Sequence, residues 1–296
     1  MPPRTTHLGI VVGADGSSSS RMAVRWAARE AHMRGIPLSL VHVIDASLWA
    51  APPLDGQAAL VETGEFRKIA AENIIADAVG LIAEATGFTP EVDTEIVMAA
   101  TVPALVDLSR NAQMMVVGCR GQSMLRRLLL GSVSSGLIHH ASCPVAVIHD
   151  EAPFVLQPSQ LPVVLGIDGS PASELATEIA FGEASWRGVE LVALHAWTDA
   201  DASGIPSMEW SARKIRAEQA LAERLAGWQE RYPEVVVRRR LVRDHPARHL
   251  LDEADSSQLV VVGSRGRGGF SGLLLGSVST AIAQVARAPV IVARPR

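Results

Sequence analysis

The chain of 296 residues has little cysteine, lysine and aromatic residue, and it has no long hydrophobic run. Its two cysteines, Cys119 and Cys143, are too few for a disulfide framework or a cysteine-type zinc site, and they suit a reducing compartment. Only two of the 27 basic residues are lysines, Lys68 and Lys214, so chemistry that depends on lysine has few candidates. No apolar run approaches the roughly 20 residues that span a bilayer, and the N-terminus shows no signal-peptide pattern. We therefore expect a cytoplasmic protein that does not bind a membrane.

The charge balance argues against a nucleic-acid binder. The net charge is −4, and neither half of the chain is strongly basic. The basic run at 238–240 falls within a predicted strand and has no aromatic residues beside it to stack on bases, so it is typical of a charged edge strand. The nine histidines show no metal-ligand spacing. The sequence therefore predicts no metal ligand and no catalytic residue.

The chain contains the same sequence pattern twice. LGIVVGADGS at 8–17 recurs as VVLGIDGS at 163–170, and LLLGSVSS at 128–135 recurs as LLLGSVST at 273–280. The repeat distance is far longer than that of a solenoid, so it indicates a duplicated domain. Prolines mark the join. We predict a first domain at 1–151, a linker at 152–161 and a second domain at 162–296.

Within each copy, short runs of Val, Ile and Leu alternate with longer amphipathic stretches. The runs lack polar alternation, which indicates strands that are buried on both faces of a parallel sheet. Five strands and four helices per copy predict two tandem doubly wound α/β domains. In the first copy we expect strands at 8–14, 37–44, 92–98, 113–118 and 144–149, and helices at 17–34, 63–86, 103–111 and 132–141.

A glycine pattern follows the fourth predicted strand of each copy. It reads Gly118-x2-Gly121-x9-Gly131-Ser132 in the first copy and Gly263-x2-Gly266-x9-Gly276-Ser277 in the second. Glycines there permit positive φ and expose backbone N–H groups, and an anion fits the start of the next helix. We therefore predict phosphate binding, although a turn that only connects strand to helix is the alternative.

In this interpretation Ser132 is the N-cap of the next helix, and the N–H groups from Val133 onward face the anion. The hydroxyls of Ser132 and Ser134 donate to it, and Arg120 and Arg265 lie close enough to approach a polyphosphate. Neither GxxxxGK[ST] nor GxGxxG is present at the expected places, which weakens the P-loop and Rossmann dehydrogenase alternatives.

Polar residues at the ends of the first and second strands complete the candidate site. Asp15 and Asp168 either bond a ribose hydroxyl or a hydrated metal, or cap the next helix locally. Backbone groups at Val43 and Ala196 end the second strands, where they are placed to read an adenine edge. The neighbouring histidines, 42 and 195, are best interpreted as structural.

These motifs resemble the universal stress protein family in its tandem, ATP-binding form, and the arginine-rich composition resembles that of actinobacterial members. The resemblance covers almost the whole chain. It implies a five-stranded parallel sheet of order 3-2-1-4-5 in each domain, one ATP per domain with or without Mg²⁺, a homodimer and an unidentified regulatory protein partner. The residues assigned to the nucleotide are Gly13, Asp15, Val43, Gly118, Arg120, Gly121, Gln122, Ser123, Gly131, Ser132, Val133 and Ser134 in the first domain, and Gly166, Asp168, Ala196, Gly263, Arg265, Gly266, Arg267, Gly268, Gly276, Ser277, Val278 and Ser279 in the second.

Three functions are compatible with these features. The favoured one is a nucleotide-dependent regulator of a stress response with two ATP sites per chain. The second is a slow Mg²⁺-dependent ATPase or nucleotidyl-transfer enzyme that uses Asp15 and Asp168 to position the metal. The third is a dimerising scaffold whose glycine loops are vestigial.

Overall fold

A computed structural model describes residues 9–45, 57–87, 92–120, 130–150, 160–197, 210–267 and 275–295. The chain divides into two compact units, with the division after residue 156. We refer to residues 9–150 as domain 1 and to residues 160–295 as domain 2. Most of the predicted linker lies outside the described residues, and its limits stay a prediction.

Strands and helices alternate along domain 1. They are β1 (Ile10–Gly13), α1 (Ser18–Arg34), β2 (Leu38–Asp45), α2 (Gln57–Thr86), β3 (Asp93–Ala99), α3 (Thr101–Ser109), β4 (Met114–Gly118), α4 (Ser132–His140) and β5 (Val145–Ile148). Each element appears where the hydrophobic pattern predicts it. The largest difference is at the start of α2, which begins six residues earlier than the sequence indicates.

Domain 2 repeats this order of elements. They are β6 (Val163–Gly166), α5 (Pro171–Arg187), β7 (Leu191–Trp197), α6 (Trp210–Arg231), β8 (Val237–Arg243), α7 (Pro246–Ala254), β9 (Leu259–Gly263), α8 (Ser277–Val285) and β10 (Val290–Ala293). The predicted α/β class, with parallel strands and flanking helices in each of two domains, is confirmed.

All strand pairs within each domain are parallel. In domain 1, β1 lies between β2 and β4, β3 pairs with β2, and β5 pairs with β4. In domain 2, β6 lies between β7 and β9, β8 pairs with β7, and β10 pairs with β9. The order within each domain is therefore third, second, first, fourth and fifth strand. The direction of the crossovers reverses between the first and fourth strands, where the sheet opens at its carboxyl edge.

The core of each domain is mainly aliphatic, and its central strands are covered by helices on both faces. In domain 1, α1 packs beside α2, and α3 packs beside α4. The four residues of β5 are fully buried, whereas β3 at the edge is mostly exposed. This difference explains why the central strands lack polar alternation.

The arginine run lies on β8, an edge strand of domain 2. The Arg238 guanidinium pairs with Glu190 at 3.3 Å, and Arg240 pairs with Glu253 at 2.9 Å. These ion pairs explain the local charge without a nucleic-acid partner, in agreement with the edge-strand interpretation.

Candidate functional site

The candidate site of each domain is the crevice at the carboxyl ends of the first, second and fourth strands. In domain 1, β1 ends at Gly13, but β2 continues to Asp45. The last backbone hydrogen bond to β2 from this part of the chain runs from the Ala14 N–H to the Val41 carbonyl, at 2.9 Å. Beyond Val41, β1 no longer runs beside β2. A ligand can therefore approach the backbone of β2 from the side that faces the crevice.

The predicted adenine-reading residues lie on that side of the second strands. In a parallel strand, alternate residues direct their N–H and C=O groups to the same side. Val43 therefore shares the orientation of Val41, and Ala196 shares that of Leu194, whose carbonyl accepts from the Ile167 N–H at 3.0 Å. Val43 and Ala196 are both half-buried. The geometry suits them to contact the edge of a flat, polar ring.

The aspartates at the ends of the first strands organise the turn into the next helix. The Asp15 Oδ1 accepts from the backbone N–H of Ser17 at 3.0 Å and from its hydroxyl at 2.6 Å. Asp168 repeats the first bond with the N–H of Ser170 at 2.9 Å. Gly16, with a φ of 79°, makes this turn possible. The local interpretation of both aspartates thus has direct support, and it leaves a second role toward a ligand open.

The helix cap itself is the serine rather than the aspartate. Ser17 precedes α1 and accepts from the N–H of Ser20, and Ser170 does the same for Ser173 before α5. Serines here also reach across the crevice: the Ser19 hydroxyl donates to the Arg120 carbonyl, and the Ser170 hydroxyl donates to the Arg265 carbonyl at 2.9 Å. The first helix of each domain therefore holds the start of the glycine loop in place.

In domain 2 the aspartate also contacts the glycine loop directly. The Asp168 Oδ2 accepts from the backbone N–H of Arg267 at 3.0 Å. A Cβ on Gly266 would lie 2.5 Å from that same oxygen. Gly266 is consequently needed for the close approach between the loop and this carboxylate. The first strand and the glycine loop form one connected site.

The glycines that end the fourth strands have a different role from the one the sequence suggests. Gly118 and Gly263 do not have positive φ, contrary to the sequence prediction for Gly118 and its counterpart. A Cβ on Gly118 would lie 2.7 Å from the Ser20 nitrogen, and one on Gly263 would lie 2.8 Å from the Ser173 nitrogen. These glycines let the first turn of the neighbouring helix pack against the strand. Helix packing is therefore one reason why both copies have a glycine at this position, in addition to any need of a ligand.

The glycines before the fourth helices are the N-caps. Gly131 precedes α4 and Gly276 precedes α8, both in extended conformation, and neither helix has a side-chain capping bond. The prediction that Ser132 is the N-cap is therefore wrong, since Ser132 and Ser277 are the first helical residues. A glycine has no side-chain oxygen to accept from the first turn. The N–H groups of that turn are available to a bound anion, to which the helix dipole is also favourable.

The second serine of each helix holds the loop and does not point a donor at the site. The Ser134 hydroxyl donates to the Cys119 carbonyl at 2.9 Å, and the Ser279 hydroxyl donates to the Gly263 carbonyl at 2.5 Å. Both side chains are buried. The expectation that the Ser134 hydroxyl donates to a phosphate is not met in this structure. Ser132 and Ser277 are exposed and retain that role.

The two loop arginines have different surroundings. The Arg120 guanidinium is 20% exposed and lies 3.9 Å from the Asp150 carboxylate, an acidic residue that sequence reasoning missed. Arg265 is exposed, and none of the carboxylates in the described parts of the chain pairs with it. The repeat could have revealed this difference, because Asp150 aligns with Pro295 two residues beyond the last strand.

A buried cysteine borders the domain 1 site. The Cys119 thiol is directed at the Asp150 Oδ1 at 3.7 Å, and burial raises its pKa above the usual range. A thiol in this state is protonated at neutral pH and is a poor nucleophile. Cys143 precedes β5, at the opposite end of the paired strands β4 and β5, so the two cysteines are too far apart for a disulfide.

The histidines beside the second strands are structural. The Nδ1 of His42 donates to the Ala14 carbonyl at 2.6 Å, and that of His195 donates to the Ile167 carbonyl at 2.7 Å. Each imidazole thereby ties the second strand to the residue that follows the first strand. The sequence interpretation of these two residues is supported by this geometry.

The structure brings the two ends of the predicted site together at one edge of each sheet. Gly13 and Gly166 end the first strands and border the crevice, and Val133 and Val278 lie in the first turns of α4 and α8. Four of the predicted ligand residues lie outside the described residues: Gly121, Gln122, Ser123 and Gly268.

The described residues contain neither a cluster of metal ligands nor a membrane-spanning helix. No group of three or more His, Cys, Asp or Glu side chains there is arranged to hold a metal ion. No described helix is both long and apolar enough to cross a membrane.

Comparison with known proteins gives one family. The family model described as "Universal stress protein family" matches residues 9–149 and 161–294. A universal stress protein of Mycobacterium tuberculosis strain H37Rv is 52% identical over 298 residues, which cover 99% of each chain. The crystal structure of a universal stress protein from Archaeoglobus fulgidus superposes with a TM-score of 0.70 at 22% identity, covering 97% of this chain and 98% of that one. A third universal stress protein, solved in complex with cAMP, matches 49% of this chain and 99% of its own at 28% identity, with a TM-score of 0.37. The chain belongs to the universal stress protein family and contains the family's domain twice.

Proposed function

We propose that each domain binds one ATP in the crevice at its carboxyl edge and that the protein acts as a nucleotide-dependent regulator. The observation that carries this proposal is the contrast between two helices of each domain. In domain 2, α5 starts at a serine that caps its first turn, whereas α8 starts at Gly276 without a side-chain cap. The uncapped helix borders the crevice, and its first turn offers backbone N–H groups to a phosphate.

The opposite side of the crevice supports a nucleoside. The backbone of Val43 or Ala196 faces the region where the first strand has ended, and both positions are half-buried. Such a position can exchange hydrogen bonds with an adenine edge and exclude water from the ring. Asp15 and Asp168 lie between this region and the glycine loop, where a ribose would lie. The crevice thus provides for base, sugar and phosphate in the order in which ATP presents them.

The hydrogen bonds of the two aspartates favour a regulatory role over catalysis. Asp15 accepts two hydrogen bonds from Ser17, and Asp168 accepts from the backbone of Ser170 and Arg267. Carboxylates held this way position a loop, and they keep the first strand in register with the phosphate side of the site. ATP would then change the surface around the crevice, and a partner protein would bind one of the two states. By resemblance to its family we expect a cytoplasmic homodimer.

The decisive experiment counts the nucleotide on the protein. We expect native mass spectrometry to find two ATP per chain, and calorimetric titration with ATP, with and without MgCl₂, to give the same count. Gly276→Ala should remove one of the two. Gly227→Ala is the matched control, because a Cβ there meets no atom within 4 Å.

Phosphate release separates the two functional classes. Retention of bound ATP over hours supports the regulator. Release that disappears in the Asp15→Asn/Asp168→Asn double variant, with ATP still bound, would instead establish an enzyme. The absence of any bound nucleotide and of any calorimetric signal would refute the proposal. Light scattering of the ATP-loaded and nucleotide-free protein tests the homodimer.

A further inference from the structure

The two crevices of one chain differ at a group of residues around Asp150. In domain 1 the Asp150 carboxylate accepts from the Ser18 hydroxyl at 3.1 Å, faces the Cys119 thiol at 3.7 Å and lies 3.9 Å from the Arg120 guanidinium. Asp150 follows β5, whose last residue pairs with the end of β4. It therefore lies at the same edge of the sheet as the glycine loop.

At the aligned positions, domain 2 shares only the arginine of this group. The residue after the helix cap is Pro171, the residue after the fourth strand is Ser264, and the residue two beyond the fifth strand is Pro295. In domain 1 the Ser18 hydroxyl and the Cys119 thiol share one contact, the Asp150 carboxylate, and the second copy has no carboxylate at that position. The joint replacement indicates that the group is one unit, which is built around Asp150.

The electrostatic consequence concerns the phosphates. In domain 1 the positive charge of Arg120 is balanced by a carboxylate that is itself only 33% exposed. In domain 2 the exposed Arg265 has no such partner among the described residues. A polyphosphate in domain 1 therefore meets one more negative charge than it meets in domain 2. Because the repulsion grows with the charge of the ligand, it acts most on a triphosphate and least on a monophosphate.

We propose that Asp150 makes domain 1 discriminate against additional phosphate charge, so that the two sites are not equivalent and domain 2 binds nucleoside triphosphates more tightly. This inference rests on the proposed function and assigns a specificity-determining residue to it. Each further phosphate charge, separated from the carboxylate by about 8 Å at an effective dielectric constant of about 40, changes Kd roughly fivefold.

The test isolates domain 1 and titrates it with ATP and AMP. In the Gly276→Ala chain, Asp150→Asn should strengthen ATP binding at least about fivefold more than it strengthens AMP binding, because ATP carries the additional phosphate charge. Asp150→Glu, which keeps the charge, should restore the low ATP affinity. The matched control is Asp107→Asn, which removes an exposed carboxylate near the far end of α3 that pairs with Arg110 at 3.5 Å. It should change neither Kd.

The wild-type chain supplies the second measurement. ATP should bind in two classes, and Gly276→Ala should remove the tighter one. Arg265→Gln should weaken only that class, and increasing salt should reduce the difference between the classes. The inference is overturned if the tighter class survives Gly276→Ala, or if Asp150→Asn changes ATP and AMP equally or no more than Asp107→Asn does. A wild-type chain that binds no nucleotide refutes the proposed function instead.

Discussion

Alanine substitution at two glycines of the same domain 2 motif should affect stability differently. Gly263→Ala places a Cβ 2.8 Å from the Ala172 carbonyl carbon and 2.8 Å from the Ser173 nitrogen. Both are backbone atoms in the first turn of α5, so the helix must move away from the strand. Overpacking of this kind costs about 1–3 kcal/mol in the free energy of unfolding. For a domain of this size, 2 kcal/mol corresponds to a fall in Tm of about 4–8 °C.

Gly276→Ala should leave stability almost unchanged. Its Cβ would lie 3.5 Å from the nearest atoms, the Ser264 carbonyl oxygen and the Ser279 hydroxyl, which is ordinary contact. The backbone at Gly276 has a φ of −78° and a ψ of 152°, a conformation that alanine adopts readily. Alanine is a poorer N-cap than glycine, which lowers the free energy of unfolding, but it also restricts the unfolded chain, which raises that free energy. Each effect is below about 1 kcal/mol, and the two have opposite signs. The new methyl group instead occupies the space beside the first turn of α8, where we place the phosphates.

The assay pairs thermal unfolding without nucleotide with ATP titration of the folded protein. We expect Gly263→Ala to lower Tm, and Gly276→Ala to retain Tm but to lose the domain 2 ATP site. The equivalent substitution Gly118→Ala in domain 1 should resemble Gly263→Ala. The reasoning is refuted if Gly276→Ala is the less stable variant, or if it binds two ATP per chain with wild-type affinity.

Three further predictions concern stability and reactivity. Arg34 pairs at 2.7 Å with Glu30, which is 2% exposed, so Arg34→Ala should cost about 3 kcal/mol by removing an ion-pair partner of a buried carboxylate. A loss under about 1 kcal/mol in urea unfolding would contradict this. Ser170→Ala should cost about 1 kcal/mol by removing a helix cap, whereas Ser277→Ala, which removes no cap, should cost much less in the same assay. Because burial raises the Cys119 pKa and only the thiolate is alkylated, the iodoacetamide rate at Cys119 should rise at a higher pH than that of an exposed thiol. Peptide mass spectrometry measures this rate, and a midpoint at or below that of a cysteine peptide would refute it.

Much of the fold was predictable because each element has a local cause. The strands of the core are short Val, Ile and Leu runs, and they fall within two residues of the predicted limits in domain 1. The start of α2 was predicted six residues too late because the residues at its beginning carry no strong helix-start signal. The repeat made the prediction firmer, since both copies had to satisfy the same architecture.

The candidate site was predictable in place but not in the role of each residue. The aspartates, the glycine loops and the second strand ends do meet at the carboxyl edge of each sheet. The assignments of Ser132 as a cap and of Ser134 as a phosphate donor did not hold. Both errors arose because a hydroxyl near a helix start can cap it, face a ligand or bond a carbonyl, and sequence spacing does not distinguish these partners.

Hydrophobic period and glycine spacing are local properties, so the duplication, the parallel α/β architecture and the expected edge for a ligand can be derived from the chain alone. The role of each glycine depends on its neighbours in space. Gly118 and Gly263 leave room for a neighbouring helix, whereas a Cβ at Gly276 would make only ordinary contacts, the nearest at 3.5 Å. The repeat alone shows that Asp150 has no acidic counterpart in the second copy, but only the structure shows that its carboxylate lies beside the Ser18 hydroxyl, the Cys119 thiol and the Arg120 guanidinium. Such distinctions depend on residues that are 30 to 132 positions apart in the chain, and only folding brings their atoms into contact.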